Sequence, residues 1–300
     1  VETKLGMAYH IILASITKIW KKFDGKHVVV ALEGKSWRKA IYENYKATRK
    51  VALELRSPAE IDEDMLFDAG MKEFITFLKE KTNVTILQSP GLEADDLIAR
   101  WIQNHPNDKH VILSSDTDFQ QLISDNVTLY CGVTQRTWSL NGVYEDNNKP
   151  VLNKKTGKPI QVDPEWFLFL KIFRGDSSDN VFPAAPRVRE TKIRAAYDDR
   201  IAKGFDWNNL MNTEWSDHEG RTRKVYNEYL INKELIDLKE QPIEIKALAD
   251  SVIEEAIKVE PKKMVGAWLL QFCKKHDLQK IADNPNLYAT VLAATYDSAK

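Results

Sequence analysis

Cysteine is nearly absent from this 300-residue chain, which has only Cys131 and Cys273. Two thiols so far apart in sequence read as buried and reduced, with no disulfide framework and no thiolate metal site. The six histidines show no ligand spacing, so a zinc-type centre is not expected. No apolar run approaches the roughly 18 residues that would span a bilayer. The opening VETKLGMAYH is no signal peptide, because Glu2, Lys4 and His10 interrupt it. A cytoplasmic protein without membrane contact is expected, and no oligomer signal stands out, so a monomer is. Excess charge of either sign is missing too: the net charge is −1, which excludes a uniformly basic polyanion binder. No serine, cysteine or histidine stands out as a nucleophile, and there is no internal repeat or low-complexity tract.

What is present is ordinary globular composition, 43% apolar and 29% charged, with the charges segregated. Acids gather in short motifs; bases gather between Lys35 and Arg56 and again from Arg187 to Arg194. Apolar spacing predicts a helix over residues 10–23 and an amphipathic helix over 65–82. HVVVALE (ending at Glu33), VTILQ (from Val84), HVILSS (110–115) and VTLYC (from Val127) read as strands. Their alternation with helices predicts an α/β fold with a mostly parallel central sheet flanked by helices. Residues 141–161 are polar and turn-rich and read as a hairpin or loop. Beyond them PEWFLFLKIF, KVYNEYLINKELIDL, VIEEAIK and MVGAWLLQFCKKH predict a smaller, mainly helical region. The expected division is 1–162 as an α/β core with a basic region at 35–60, and 163–300 as the helical region. Such chains usually begin with a strand, and this sequence begins with Val1 just before a helix, so a first strand is expected to be missing from it.

The acids fall where an open parallel sheet binds ligands, at the carboxyl ends of strands. Glu33 ends one strand, Asp116 and Asp118 follow another, and Glu93, Asp95 and Asp96 open the helix after a third. Alone, each has a plain structural role: first-turn acids complement the helix dipole by about 0.3–1 kcal/mol each, and an Asp after a strand often caps a helix. Three groups aimed at one edge are expected to converge and repel, and a divalent cation with hard oxygen ligands, Mg²⁺ or Mn²⁺, resolves that repulsion. Asp176 and Asp179 in FRGDSSDNV share a turn around Gly175 and complete a second cation site; their plain reading is a Gly-Asp turn with an Asx cap. Two ions roughly 3.5–4 Å apart serve phosphodiester hydrolysis without a side-chain nucleophile.

KSWRKAIYENYKATRK follows directly after Glu33. Lys35, Arg38, Lys39, Lys46, Arg49 and Lys50 supply charge, and Trp37, Tyr42 and Tyr45 supply rings for stacking on bases. Read as one helix, it places Lys46 and Arg49 on one face, set to clamp a scissile phosphate. Arg187, Arg189, Lys192 and Arg194 form a second patch suited to a duplex backbone. A solvated charged helix is the plain alternative.

EADD (93–96), SSDTDFQQL (114–122) and GDSSDN (175–180), in that order, resemble the signature segments of the structure-specific 5′ nucleases. That superfamily includes flap endonucleases and the 5′ nuclease domain of bacterial DNA polymerase I. Trp37, Arg38, Tyr45, Lys46 and Arg49 also resemble its pattern, and the bacteriophage ribonuclease H / 5′–3′ exonuclease branch is the most similar. The resemblance covers most of the chain. It implies a PIN-like 5′ nuclease fold and two-metal hydrolysis at the 5′ ends and flaps of duplex DNA or RNA–DNA hybrids, with primer removal in replication. It matches Glu93, Asp95, Asp96 and Asp116 to one metal and Asp118, Asp176 and Asp179 to the other, and Lys46 and Arg49 to the basic arch. A single-strand-binding protein or sliding clamp is implied as partner. The family's first-strand aspartate has no counterpart, and Glu33 stands where Asp is usual. The glycine-rich hairpin that binds duplex with K⁺ is not matched either: FPAAPRVRETK lacks those glycines, which counts against K⁺. A non-cutting branched-DNA-binding protein is the second reading. A small-substrate phosphatase is the third, disfavoured by the basic track.

Overall fold

Leu5, Tyr9 and Leu13 recur at four-residue intervals and lay one apolar stripe along the first helix, α1 (Glu2–Lys22). That stripe starts the helix earlier than the expected residue 10. The computed structural model describes residues 1–49 and 55–297. Chain contacts gather into two units: Val1–Lys35, Leu55–Trp101 and Glu244–Lys300 form the first, and Ser36–Glu54 with Ile102–Ile243 the second. Among the described residues, no helix is long and apolar enough to cross a membrane.

In the first unit, β1 (Val29–Ala31) pairs in parallel with β2 (Thr85–Leu87), Val30 opposite Ile86. Helix α3 (Pro58–Lys81) also starts earlier than expected, because Ser57 and Glu60 build a reciprocal capping box with Pro58 in the first turn. A four-residue helix, α2 (Arg38–Ile41), precedes it in sequence and belongs to the second unit. Tyr9, Leu13, Phe74 and Leu78 pack with Leu269 and Phe272 of α10 (Val265–Lys275), and α12 (Pro285–Ala293) closes this core through Leu292. Helix α9 (Ile243–Ile257) precedes α10, and the short α11 (Gln279–Ala282) lies between α10 and α12.

In the second unit, β3 (His110–Leu113) pairs in parallel with β4 (Val127–Cys131). β5 (Arg136–Ser139) and β6 (Gly142–Glu145) then continue the sheet antiparallel, in the order β3-β4-β5-β6. The polar stretch expected as hairpin or loop supplies β6 and the bridges Tyr144–Pro150 and Leu152–Pro159. The fold is therefore α/β, with a parallel two-stranded sheet, a four-stranded sheet that is mixed rather than mostly parallel, and a helical C-terminal region. Helix α5 (Pro164–Arg174), capped by Asp163, packs through Phe169 and Phe173 on α6 (Glu190–Asp198), α7 (Phe205–Met211) and α8 (Val225–Ile236). A hairpin of β7 (Glu214–Ser216) and β8 (Thr222–Lys224) precedes α8.

One glycine joins this scaffold to the acids. Gly34 follows β1 where the chain crosses the end of β2, and Lys35 N–H donates to Pro90 O at 2.9 Å. A Cβ on Gly34 would stand 2.1 Å from Ser89 O and 2.4 Å from Leu92 O, both backbone atoms. Gly34→Ala is expected to destabilise the protein by about 1–3 kcal/mol, measured by denaturant unfolding. Unchanged stability would show that this crossing yields without strain.

Candidate metal and nucleic-acid site

Helix α4 (Ala94–Asn104) begins in acid and turns apolar within one turn. Leu97 and Ala99 are fully buried, and Trp101 stacks edge-on to Tyr296 with centroids 5.2 Å apart, so the helix is fixed in the first unit's interior. This anchoring draws the preceding carboxylates inward: Glu93 is 1% exposed and Asp96 0%. Glu93 N–H donates to Asp96 Oδ2 at 3.3 Å, and Asp96 N–H donates to Asp95 Oδ1 at 2.8 Å. One carboxylate oxygen from each of Glu93, Asp95 and Asp96 lies within 4.8 Å of the others. The donor set is all hard oxygen, which fits Mg²⁺ or Mn²⁺ rather than a soft metal. Glu33 is placed differently. Its Oε2 accepts from Ala94 N–H at 3.0 Å, so it caps the helix that the other three open.

In the second unit, Asp116 caps a 3₁₀ helix over Thr117–Leu122, accepting from Asp118 N–H at 2.8 Å. Phe119 and Leu122 anchor that turn, and buried Gln121 ties it to α8 by donating to Ile236 O and accepting from Leu238 N–H. The GDSSDN loop is held from the other side. Gly175 takes φ +68° and leaves no room for a Cβ, which would meet Val181 O at 2.3 Å. Asn232 donates to Ile172 O and Phe182 O at 2.9 and 2.8 Å. Asp176 Oδ1 accepts from Ser178 N–H and Oγ–H, the Asx turn foreseen as the plain reading.

Lys171, from α5, joins these acids. Its Nζ donates to Asp118 Oδ1 and to Asp176 Oδ2, the latter at 2.7 Å. Burial opposes ionisation of Asp176, yet hydrogen bonds from Lys171 and Ser178 outweigh it and hold the carboxyl down at about 2. Burial pushes Asp118 above the usual carboxylate range despite Lys171, with Asp116 and Asp176 adding to the rise. Burial also opposes the charge on Lys171, but Asp118 and Asp176 prevail and raise it. Nothing in a sequence motif singled this lysine out; the available signal was one charge inside the apolar run FLFLKIF.

The basic segment is not the single helix expected. α2 ends at Ile41, residues 43–46 form a turn with Lys46 at φ +54°, and helical residues resume at 47–49. Lys46 and Arg49 therefore do not share the face of one regular helix. Arg49 is exposed, and its Nη2 pairs with Asp179 Oδ1 at 2.7 Å. Tyr45 O–H donates to Asp179 Oδ2 at 3.0 Å, Lys46 N–H donates to Asp179 O at 2.9 Å, and Asn180 Nδ2 donates to Asn44 O. Asp179 is thus the post on which the basic turn is built. Two expected nucleic-acid contacts are corrected. Arg38 is 1% exposed and donates Nε–H to Leu235 O at 2.8 Å, and Tyr45 is 3% exposed, so neither presents itself to a strand. Lys35 and Lys39 are exposed, and Trp37 and Tyr42 are half-buried. Lys50 lies outside the described residues.

Arg187, Arg189, Lys192 and Arg194 are all exposed at the start of α6. Arg194 lies over the rings of Trp166 and Tyr197, 4.8 and 5.0 Å from their centroids, while pairing with Asp198.

Residues 3–149 match the family described as 5′-3′ exonuclease, N-terminal resolvase-like domain. The chain is 26% identical over 178 residues to the flap endonuclease of Escherichia phage T5, covering 56% of this chain and 55% of that protein. It is 23% identical over 186 residues to the 5′-3′ exonuclease of Buchnera aphidicola, covering 60% and 56%. It is 30% identical over 166 residues to DNA polymerase I of Rhizobium leguminosarum, covering 54% of this chain and 14% of that one. The chain thus spans about half of the two nucleases and a small part of the polymerase. Among solved structures, the bacteriophage T5 protein co-crystallised with metal ions matches with a TM-score of 0.62 at 19% identity, over 85% of this chain and 96% of that one. The bacteriophage T5 flap endonuclease in a pseudo-enzyme-product complex with DNA and metal ions matches at 0.59 and 18%, over 85% and 96%. At these identities the structural likeness speaks for the fold. Fold and site together define an α/β protein that presents clustered carboxylates at the ends of its strands. Residues 3–149 are similar to the 5′-3′ exonuclease N-terminal domain, and the fold is that of the bacteriophage T5 structures.

The Lys171 contacts set an acid-pH dependence. A carboxyl held at about 2, below its ordinary value, contributes stability above about pH 4 that is lost as pH falls toward 2. Lys171→Met is expected to be less stable than wild type near neutral pH, with the gap in melting temperature narrowing as pH falls from about 4 to about 2. A gap that stays constant over that range would contradict the assignment.

Proposed function

We propose that this chain is a divalent-metal-dependent 5′ nuclease that hydrolyses phosphodiesters near the 5′ ends of flap, duplex or RNA–DNA substrates. The observation that carries this reading is the grouping of the Glu93, Asp95 and Asp96 oxygens within 4.8 Å. The names of its relatives, a flap endonuclease and a 5′-3′ exonuclease, support it. Glu93, Asp95 and Asp96 hold one cation. Asp118, Asp176 and Asp179, with Asp116 fixing the adjoining turn, frame a second. Mg²⁺ or Mn²⁺ bound to such ligands supplies charge neutralisation at a phosphate. Arg49 and Lys46 receive the phosphates of the 5′ strand, Lys35 and Lys39 extend that track, and Trp37 and Tyr42 offer ring faces to bases. Arg187, Arg189, Lys192 and Arg194 grip a duplex backbone from the helical region. By role, residues 1–162 are then the nuclease core and 163–300 the DNA-binding region. The setting is cytoplasmic primer removal by a monomer with RNase H-type activity, in company with a single-strand-binding protein or sliding clamp.

Lys171, a cation already seated between Asp118 and Asp176, favours one alternative: a protein of this fold that binds branched DNA without cutting.

With a 5′-labelled flap or RNA–DNA hybrid, short products are expected with Mg²⁺ and none with EDTA. Changing both Asp116 and Asp118 to Asn is expected to lower the rate by roughly 100-fold or more. Cleavage in EDTA, or an unimpaired double variant, would refute the metal nuclease. Tight flap binding with no product at any Mg²⁺ concentration would select the non-cutting alternative.

A further inference from the structure

Lys171 has no part in the cleavage chemistry proposed above. From α5 it places its ammonium between two carboxylates remote from each other in sequence. The side chains of Lys171, Asp118 and Asp176 are 14%, 21% and 13% exposed, so this is no loose surface pair. All three positions are fixed from behind: Asp118 by the 3₁₀ turn tied through Gln121, Asp176 by the Asx turn and Gly175, Lys171 by the packing of α5 through Phe169 and Phe173. Among the described residues, the oxygens grouped tightly enough to hold an ion are those of Glu93, Asp95 and Asp96, and the Asp118–Asp176 pair joins no such group.

We infer that Lys171 is a built-in monovalent cation that occupies the second acid cluster, so that a divalent ion enters between Asp118 and Asp176 only by displacing its ammonium. The competition follows from charge and geometry. An ammonium and a hard dication seek the same carboxylate oxygens, and a dication within a few ångströms of an ammonium is repelled by it. Mg²⁺ needs oxygens at about 2.0–2.1 Å in near-octahedral array, which the Lys171 hydrogen bonds pre-empt. Two outcomes follow. The protein fills its cation sites in sequence, first at Glu93, Asp95 and Asp96 and later at the Lys171 cluster. The second ion's affinity is set by a residue that is no metal ligand. The inference rests on reading Asp118 and Asp176 as cation ligands, but not on cleavage.

The test is Mn²⁺ binding to the full chain, followed by calorimetry and by the electron paramagnetic resonance of free Mn²⁺. Wild type is expected to bind one Mn²⁺ and then a second at least about tenfold more weakly. Lys171→Met is expected to tighten the second by about tenfold or more, and Lys171→Arg, which keeps the charge, to leave it as in wild type. Equal affinities for both ions in wild type, or a second ion unaltered by Lys171→Met, would overturn the inference. Should Lys171→Met fail to fold, side-chain ¹⁵N NMR of the wild-type lysines during an Mg²⁺ titration decides. The Lys171 Nζ resonance is expected to hold through the first equivalent and move with the second; movement with the first, or none at saturation, overturns the inference. Flap cleavage is scored separately. A protein that cuts nothing yet shows a Lys171-dependent second ion refutes the nuclease and keeps this mechanism. One that cuts while Lys171→Met binds Mn²⁺ as wild type does refutes this mechanism alone.

Discussion

Carboxylates forced close together by a folded backbone are the constraint from which the rest follows. Glu93 and Asp96 are drawn out of water because Leu97, Ala99 and Trp101 on the same helix belong to the interior. Helix-dipole attraction offsets part of the repulsion, at about 0.3–1 kcal/mol per charge. A dication offsets far more. Folding therefore gathers three carboxylates at one helix start, a hard-oxygen donor set that fits a small, doubly charged ion. The glycine crossing at Gly34 and the Glu33 cap hold the backbone that presents them.

The second unit meets the same problem with two internal solutions. Asp118 and Asp176 share the Lys171 ammonium; Asp179 takes the Arg49 guanidinium and the Tyr45 hydroxyl. The second arrangement couples chemistry to architecture. A residue that resembles a metal ligand also anchors the turn carrying Lys46 and Arg49, so the basic segment keeps its position through an acid. A cation or phosphate arriving near Asp179 would compete with contacts that shape the basic turn itself.

Much of this was legible in the sequence. EADD, SSDTDFQQL and GDSSDN named the acids, and the alternation of β-branched runs with amphipathic ones gave the α/β class. The order of β1 to β4 followed from HVVVALE, VTILQ, HVILSS and VTLYC. Contacts over long sequence separation stayed hidden. Arg38 looked like a phosphate ligand because its partner, Leu235 O, is a backbone atom in a distant helix. Tyr45 looked like a stacking ring because Asp179 lies far along the chain. The break at Lys46 depends on a left-handed backbone that no local composition announces. The early start of α3 was readable in Ser57 and Glu60, but PAEIDED carries too few apolar residues for periodicity to point there. Lys171 passed unnoticed because a lysine in an amphipathic helix usually faces water.

The central claim is that the carboxylates opening α4 are a cation site and not merely a helix cap. Anomalous diffraction at the manganese edge, from crystals grown with Mn²⁺, tests it most directly. The account requires an anomalous peak among the oxygens of Glu93, Asp95 and Asp96. Well-ordered carboxylates there with only water between them, in crystals holding Mn²⁺ elsewhere, would contradict it.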